Sequence, residues 1–336
     1  MKESPAILND STVQKLLTLS PVSFLRNLHG VTAIDITGVD TSRCRVISTL
    51  IHGNEPSGLF AVHRWLTEQH QPAANIRIII SSVEAALTEP LFSHRFLADQ
   101  EDLNRCFSAT GNSRVYTRAK LIKTLIRKVR PEAVVDLHNT SGSGPAFCVS
   151  TRDALSERAL ASYFCQSMIL TGLKIGSLME QDFACPIITI ECGGSQDSRS
   201  HDVAYQGIKE FANAMDCNAG HQPNEIEVLK HPLRVELKNG VTLSYSFERD
   251  MRVDVCICAS IEHHNVGITE KGTFLGWINQ GGLENFQFRD EQGIELPSNL
   301  FKLQDGRLLT TRDVRLFMAT TRVDIAQKDC LFYMIA

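Results

Sequence analysis

Ser48-Thr-Leu-Ile-His-Gly-Asn-Glu-Pro-Ser-Gly58 decides how the first two thirds of this chain are read. An aliphatic run that includes Val46, Ile47, Leu50 and Ile51 ends in His52, and Glu55 follows three residues later. So short a β-branched run predicts a buried strand, and Gly53, Asn54, Pro56 and Gly58 predict that it stops in a turn. His52 and Glu55 are thereby expected on the loop beyond the strand's carboxyl end, the edge where open α/β sheets place their ligand crevices. Imidazole plus carboxylate is a usual pair for a first-row metal, still lacking a third ligand. Taken alone, His-x-x-Glu arises often by chance and reads as a solvated turn.

Outward from this stretch, β-branched runs alternate with helical patterns from residue 31 to about 217. Runs at 31–37, 43–50, 76–82, 133–137, 146–150 and 186–194 predict strands. Segments 57–69, 115–129, 153–170 and 202–215 predict helices, the second of them stopped by Pro131. The alternation predicts an α/β class, a mainly parallel mixed sheet with helices on both faces. Residues 84–113 read as one long polar loop carrying Arg95, Asn104 and Arg105, of a length that is usually functional or disordered. After the turn-rich stretch 217–223 the pattern changes. Short strands at 233–237, 242–247, 252–259, 273–278, 314–320 and 330–335 predict a smaller all-β domain, a sandwich or barrel, with a hairpin turn at Asn239-Gly240. The expected division is an α/β domain over 1–221 and a β-rich domain over 222–336, placed to cover the cleft of the first.

The composition excludes several classes. With 336 residues, 43% hydrophobic and 21% charged, the chain is an ordinary globular one. A formal net charge of −4 with interspersed Lys and Arg excludes a nucleic-acid partner. No apolar run approaches the ~20 residues that span a bilayer, and the N-terminus lacks a signal-peptide core, so the expectation is a cytoplasmic protein without a membrane partner. A homo-oligomer is compatible with all of this. The ten cysteines are scattered without a Cys-x-x-Cys pair and read as reduced, with Cys256 and Cys258 as core packing on one strand face.

Two further predicted strands end as the first does. One runs into Asp136-Leu-His-Asn-Thr-Ser-Gly-Ser-Gly144, the other into Ile190-Glu-Cys-Gly-Gly194. His52, Glu55 and His138 together make a His₂Glu set, the kind found in hydrolytic zinc sites that leave a fourth position for water. Bound zinc brings the pKa of that water to about 7. A carboxylate must then take its proton and deliver it to a leaving amine, and Glu191 is the candidate. Asp136 lies two residues before His138, on the same strand face, where it can orient the imidazole. The plainer readings stay open at this point: His138 as a hydrogen-bonded strand end, Glu191 as an acid beside a glycine turn. The remaining histidines, His63 and His201 among them, read as surface or packing residues.

His-Gly-Asn-Glu at 52–55, Asp-Leu-Asn-Arg at 102–105, Asp-Leu-His-Asn-Thr at 136–140 and Ile-Glu-Cys-Gly at 190–193 resemble, in that order, the succinylglutamate desuccinylase/aspartoacylase family. The resemblance covers about residues 45–215 and implies a zinc carboxypeptidase-like catalytic domain. It implies one zinc ion held by His52, Glu55 and His138, with Glu191 as general base and then acid. It implies further that Asn104 and Arg105 bind a substrate carboxylate, for which a guanidinium offers two parallel hydrogen bonds. Arg95 best matches the arginine that polarises the scissile carbonyl, and Asn139 and Thr140 shape the substrate pocket.

The implied activity is cleavage of the amide of an N-acyl amino acid such as N-succinylglutamate or N-acetylaspartate by zinc-activated water. The alternatives are a zinc carboxypeptidase acting on peptides and a non-catalytic metal- or ligand-binding relative. Two positions depart from the family pattern. Ser82-Val-Glu-Ala85 stands where an Asn-Pro-x-Ala turn is common, and Gln181 and Asp182 stand near where some aspartoacylases carry an arginine. A buried Asp182 is expected to repel a dicarboxylate.

Overall fold

A computed structural model of the chain describes residues 6–8, 10–297 and 299–336. They form two compact units. The first comprises residues up to Asn139 with Ala146–Met168 and Lys174–Val228; the second comprises Thr140–Pro145, Ile169–Leu173 and Leu229–Ala336.

The first unit is built on a nine-stranded sheet. Its strands in chain order are β1 (Ala6–Leu8), β2 (Thr32–Ile36), β3 (Asp40–Thr49), β4 (Ala74–Ile80), β5 (Ala133–Thr140), β6 (Phe147–Ser150), β7 (Ser167–Leu170), β8 (Ile187–Gly194) and β9 (Glu227–Lys230). Their order across the sheet is β1-β2-β4-β3-β5-β8-β6-β7-β9. β3 runs parallel to both β4 and β5, whereas β2 is antiparallel to β4 and β6 to β8. The fold is therefore mixed α/β, with a parallel centre.

Successive residues of the central strands enter two different cores, which is the period-two rule of a sheet covered on both faces. Ile34, Ile47, Ile78 and Val135 join one cluster, while Ala33, Val46, Ile79 and Val134 join the other. The helices of this unit in chain order are α1 (Asp10–Leu16), α2 (Pro21–Arg26), α3 (Ser57–Thr67), α4 (Val83–Leu87), α5 (Arg114–Lys128), α6 (Leu155–Ala161) and α7 (Ser198–Asn213). Of these, α3 and α7 supply the first cluster with Leu59, Val62, Trp65, Ile208 and Phe211. Helix α5 (Arg114–Lys128) supplies the second with Val115, Ala119, Ile122 and Ile126. Gly58 permits α3 to approach the sheet, since a Cβ there would lie 2.1 Å from Thr49 Oγ1.

One fully buried cation ties this layer together. The Arg45 guanidinium meets Glu132 at 2.6 Å and the carbonyls of Phe211, Ala212 and Ala214, the last at 2.6 Å, so it satisfies the C-terminal end of α7. Arg45→Ala strands these acceptors under the sheet. It is expected to cost about 3–5 kcal/mol, read as a lowered urea midpoint at unchanged slope.

The sequence expectations shift in three places. The helix expected over 153–170 is a short one, Leu155–Ala161, followed by strand β7, because a short apolar run does not by itself distinguish helix from strand. The long loop expected over 84–113 is entered by a helix, Val83–Leu87, and carries a 3-10 turn at Leu103–Arg105. A turn does occur at Asn239-Gly240, where Gly240 has φ +88, but it joins no hairpin. The strand before it, Leu233–Leu237, pairs with Phe286–Arg289 and Phe332–Ile335, and the strand after it, Leu243–Ser246, pairs in parallel with Val255–Cys258.

Among the described residues the second unit is strand-rich, with a six-stranded and a five-stranded sheet, a short α-helix, Val323–Lys328, and 3-10 turns at Ile261–His264 and Gly282–Asn285. Val235, Leu243, Ile257, Leu275, Phe288, Leu316 and Phe332 draw both sheets onto one apolar cluster, the arrangement of a sandwich. No helix among the described residues is long and apolar enough to cross a membrane.

Candidate metal centre

Three adjacent strands of the first unit, β3, β5 and β8, carry the residues singled out from sequence. His52 and Glu55 lie just beyond the end of β3, and His138 and Glu191 lie inside the carboxyl-terminal halves of β5 and β8, which run on to Thr140 and Gly194. After β3 the chain turns at Leu50, whose φ of +56 is left-handed and strained for a non-glycine residue. Ser82 pins the turn by donating its N–H to Leu50 O (2.8 Å) and its hydroxyl to Ile51 O (2.7 Å). Gly53 passes so close to the helix at Val83–Leu87 that a Cβ would lie 2.6 Å from the Ala86 nitrogen. The result is a rigid 52–55 turn facing the end of β5, where Asp136 and His138 share a face two residues apart.

Glu55 lies between the two imidazoles. Its Oε1 is 2.8 Å from His52 Nδ1 and its Oε2 is 2.6 Å from His138 Nδ1, and the two rings stand edge to face with centroids 5.1 Å apart. Each outer ring nitrogen meets a carboxylate, His138 Nε2 with Asp136 at 2.8 Å and His52 Nε2 with Asp102 at 3.0 Å. Arg95 closes the ring of charges through Glu55 Oε1 (3.3 Å) and Asp102 Oδ2 (2.9 Å). His52, Glu55 and His138 are all buried, and each offers a donor atom within 4.8 Å of the others.

The electrostatics favour a cation at this point. Four carboxyl groups, Glu55, Asp102, Asp136 and Glu191, surround two imidazoles and one guanidinium. Burial opposes the ionisation of Glu55, yet His52 and His138 hold its carboxyl well below the usual range. Burial likewise opposes charging His138, but Asp136 and Glu55 outweigh it and raise its pKa well above that of a free imidazole. Burial opposes ionisation of Asp102 too, and the hydrogen bond from His52 together with the positive charge of His52, Arg95 and Arg105 outweighs it and lowers its pKa. Positive charge is thus stabilised between the imidazoles and Glu55, where a divalent ion would displace protons.

The donor set fits zinc. Two Nδ1 atoms and a carboxylate oxygen are the usual chemistry, and ligands on ~2.1 Å bonds to a tetrahedral ion lie about 3.4 Å apart, a small adjustment from these positions.

Glu191 behaves differently from its neighbours. Burial pushes its carboxyl up to about 7, with His138 and Arg95 pulling down and Glu55 pushing up. Its Oε2 is buried without a hydrogen-bond partner, a costly arrangement that is common at functional sites.

The other sequence candidates are placed as follows. Asn104 is buried and accepts the Leu178 N–H on its Oδ1 (3.0 Å), whereas Arg105 is exposed and donates to Asn104 O (3.1 Å). Asn139 directs its amide into the scaffold, donating to Ser57 Oγ (2.8 Å) and Gly193 O (2.9 Å). Thr140 donates to Gly142 O (2.7 Å), at the start of the 140–145 loop that the second unit holds through Asn265 and Glu262. Asp182 is exposed and accepts the Ala184 N–H, so the expected buried repulsion of a dicarboxylate is withdrawn.

Two participants escape the sequence reading. Asp102 opens the Asp-Leu-Asn-Arg motif and could have been found by asking which acid orients His52. His201, read as a surface or packing residue, bonds Ser57 beside the centre, and no local pattern announces it.

Residues 44–205 match the sequence profile of the Succinylglutamate desuccinylase/Aspartoacylase catalytic domain. No curated protein sequence matches the chain. Among solved structures it is similar to a succinylglutamate desuccinylase/aspartoacylase from Rhodobacter sphaeroides, with TM-score 0.53 and 15% identity over 87% of this chain and 84% of that one. It is also similar to a succinylglutamate desuccinylase from Vibrio parahaemolyticus, with TM-score 0.54 and 15% identity over 94% of each chain. For murine aminoacylase 3 the TM-score is 0.51 and the identity 15%, over 88% of this chain and 95% of that one. At such identities the likeness is one of fold.

Proposed function

Since residues 44–205 carry a succinylglutamate desuccinylase/aspartoacylase catalytic domain, we propose that this protein is a zinc-dependent amidohydrolase that removes the acyl group from an N-acyl amino acid. The observation that carries the proposal is the buried His52–Glu55–His138 triplet, with Glu191, whose Oε2 is buried without a hydrogen-bond partner, on the neighbouring strand β8. In this reading the catalytic part spans 1–221, with a zinc carboxypeptidase-like arrangement, and 222–336 is a β-rich appendage.

Zinc held by His52, Glu55 and His138 would supply Lewis acidity and lower the pKa of a water molecule. Asp102 and Asp136 hold the two imidazoles with Nδ1 turned inward. Glu191, ionised, accepts the proton of the attacking water and returns it to the nitrogen of the departing amine, the usual exchange of roles for a single carboxyl. Arg95 presents positive charge to the oxygen on which negative charge develops. It must release Glu55 or Asp102 in part to do so. Asn104, whose Oδ1 is used by Leu178, offers its amide nitrogen to a substrate carboxylate, and Arg105 its guanidinium fork.

The direct test is a panel of N-succinyl, N-acetyl and N-formyl amino acids, with a dipeptide series as control, given to the zinc-loaded full-length chain while free amine is measured. Release from at least one N-acyl amino acid is expected; release from peptides alone would replace the proposal with a carboxypeptidase.

The acid limb of the pH profile follows from Glu191. The base works only ionised, so kcat/KM is expected to rise with pH through a value no higher than about 7 and then level off. The bound cation moves that limb to lower pH. A rate that falls across pH 5–7 would contradict the assignment of Glu191 as base.

A further inference from the structure

Beside the metal centre lies a second polar array that the reaction as described does not use. Asn139 follows His138 directly on β5, and its amide is saturated by the scaffold. Its Oδ1 accepts the Ser57 N–H (3.0 Å), and its Nδ2 donates both to Ser57 Oγ (2.8 Å) and to Gly193 O (2.9 Å). The backbone N–H of Asn139 points to Glu55 Oε2 at 3.4 Å. One side chain therefore touches the first turn of α3, two residues beyond Glu55, and the end of β8, two residues beyond Glu191.

Ser57 is fully buried, and its hydroxyl lies 2.7 Å from Nδ1 of His201 on α7. Ser57 Oγ accepts from Asn139, and the proton of this buried hydroxyl needs an acceptor of its own; His201 Nδ1 is the one within reach, an assignment that places the imidazole proton on Nε2. The ring is held edge to face by Phe60 at 4.8 Å between centroids. The array thus has a direction, from Asn139 to Ser57 to His201, and it ends on a ring fixed by packing.

Resting on the assignment of Glu55 and His138 as metal ligands and Glu191 as base, we propose that Ser57 and His201 are positioning residues for the reaction. Through Asn139 they set the mutual placement of the Glu55 turn and the His138 and Glu191 strand ends. A well-oriented outer partner of this kind is worth about 10–100-fold in metal affinity or activity. The loss falls on kcat and metal affinity and spares KM, because the groups assigned to hold substrate in the ground state, Asn104 and Arg105, lie on a different segment.

The test compares His201→Leu, which lacks an acceptor, with His201→Asn, whose Oδ1 sits where Nδ1 sat, and with Ser57→Ala, all in the full-length chain. His201→Leu and Ser57→Ala are expected to lower kcat and cobalt affinity, read from the visible spectrum, by about tenfold with KM unchanged within about twofold. Their double variant is expected to lose no more than either alone, since both break one chain. His201→Asn is expected to recover most of both losses. Wild-type kcat and cobalt affinity in His201→Leu would overturn the proposal. So would a His201→Asn variant as impaired as His201→Leu, which would mean that ring packing and not the hydrogen bond matters. The cobalt titration needs no substrate, so it still decides the matter if no N-acyl amino acid proves to be hydrolysed.

Discussion

Glu191→Gln is expected to bind zinc as the parent chain does and to lose about 10²–10⁴-fold in kcat, the span associated with a single general acid–base group. The amide is nearly isosteric and keeps the packing of a residue within β8 that is 9% exposed. It can neither take a proton from water nor return one to an amine. The affinity for metal is expected to hold because Glu191 lies outside the His52–Glu55–His138 triplet. Removing a carboxyl that burial keeps near 7 also relieves an unfavourable buried charge at higher pH, so the variant should be no less stable than the parent above that pH. Steady-state kinetics beside a zinc stoichiometry measurement checks both halves. Turnover within threefold of the parent would remove Glu191 from the mechanism, and loss of zinc would move it into the ligand set.

The second large effect concerns the triplet itself. Chelation of the metal is expected to abolish turnover, and stoichiometric zinc to restore it. His138→Ala is expected to lower zinc affinity by several orders of magnitude and activity by at least about a thousandfold, because three protein ligands are the minimum for a catalytic zinc site. The variant also leaves Asp136, which is fully buried, without its imidazole partner at 2.8 Å. His138→Ala should therefore be less stable than the parent, whereas chelation alone should leave a folded chain in which protons occupy the space between Glu55 and the imidazoles. Comparing circular dichroism melts of the chelated parent and the variant separates loss of ligand from loss of fold. Undiminished activity after exhaustive dialysis against chelator would end the zinc proposal.

Much of this centre was legible in the chain because its parts sit at strand ends, and strand ends announce themselves. The run into His52, Asp136-Leu-His and Ile190-Glu each combine an apolar stretch with an abrupt turn. Period-two alternation then places Asp136 and His138 on one face, as the 2.8 Å contact bears out. Where the reading slipped, the cause was a decision taken far away in the chain. The segment 153–170 changes from helix to strand at Ser167 because it is drawn into the sheet between β6 and β9, and Asn239-Gly240 makes a turn whose flanking strands find partners more than thirty residues away or on the other sheet. His201 follows the same logic, since its role depends on α7 lying against α3.

The sequence by itself determined the class of the fold, the alternation of strands and helices, and which imidazoles and carboxyls stand at the sheet's edge, because these depend on local periodicity and on residues that break it. Only the tertiary structure decided that Asp102 orients His52, that Asn139 serves the scaffold, and that Asp182 faces solvent. Those outcomes depend on distances between segments tens of residues apart, and on which polar group reaches a buried partner first. No local pattern encodes them, since each is set by the packing of whole strands and helices against one another.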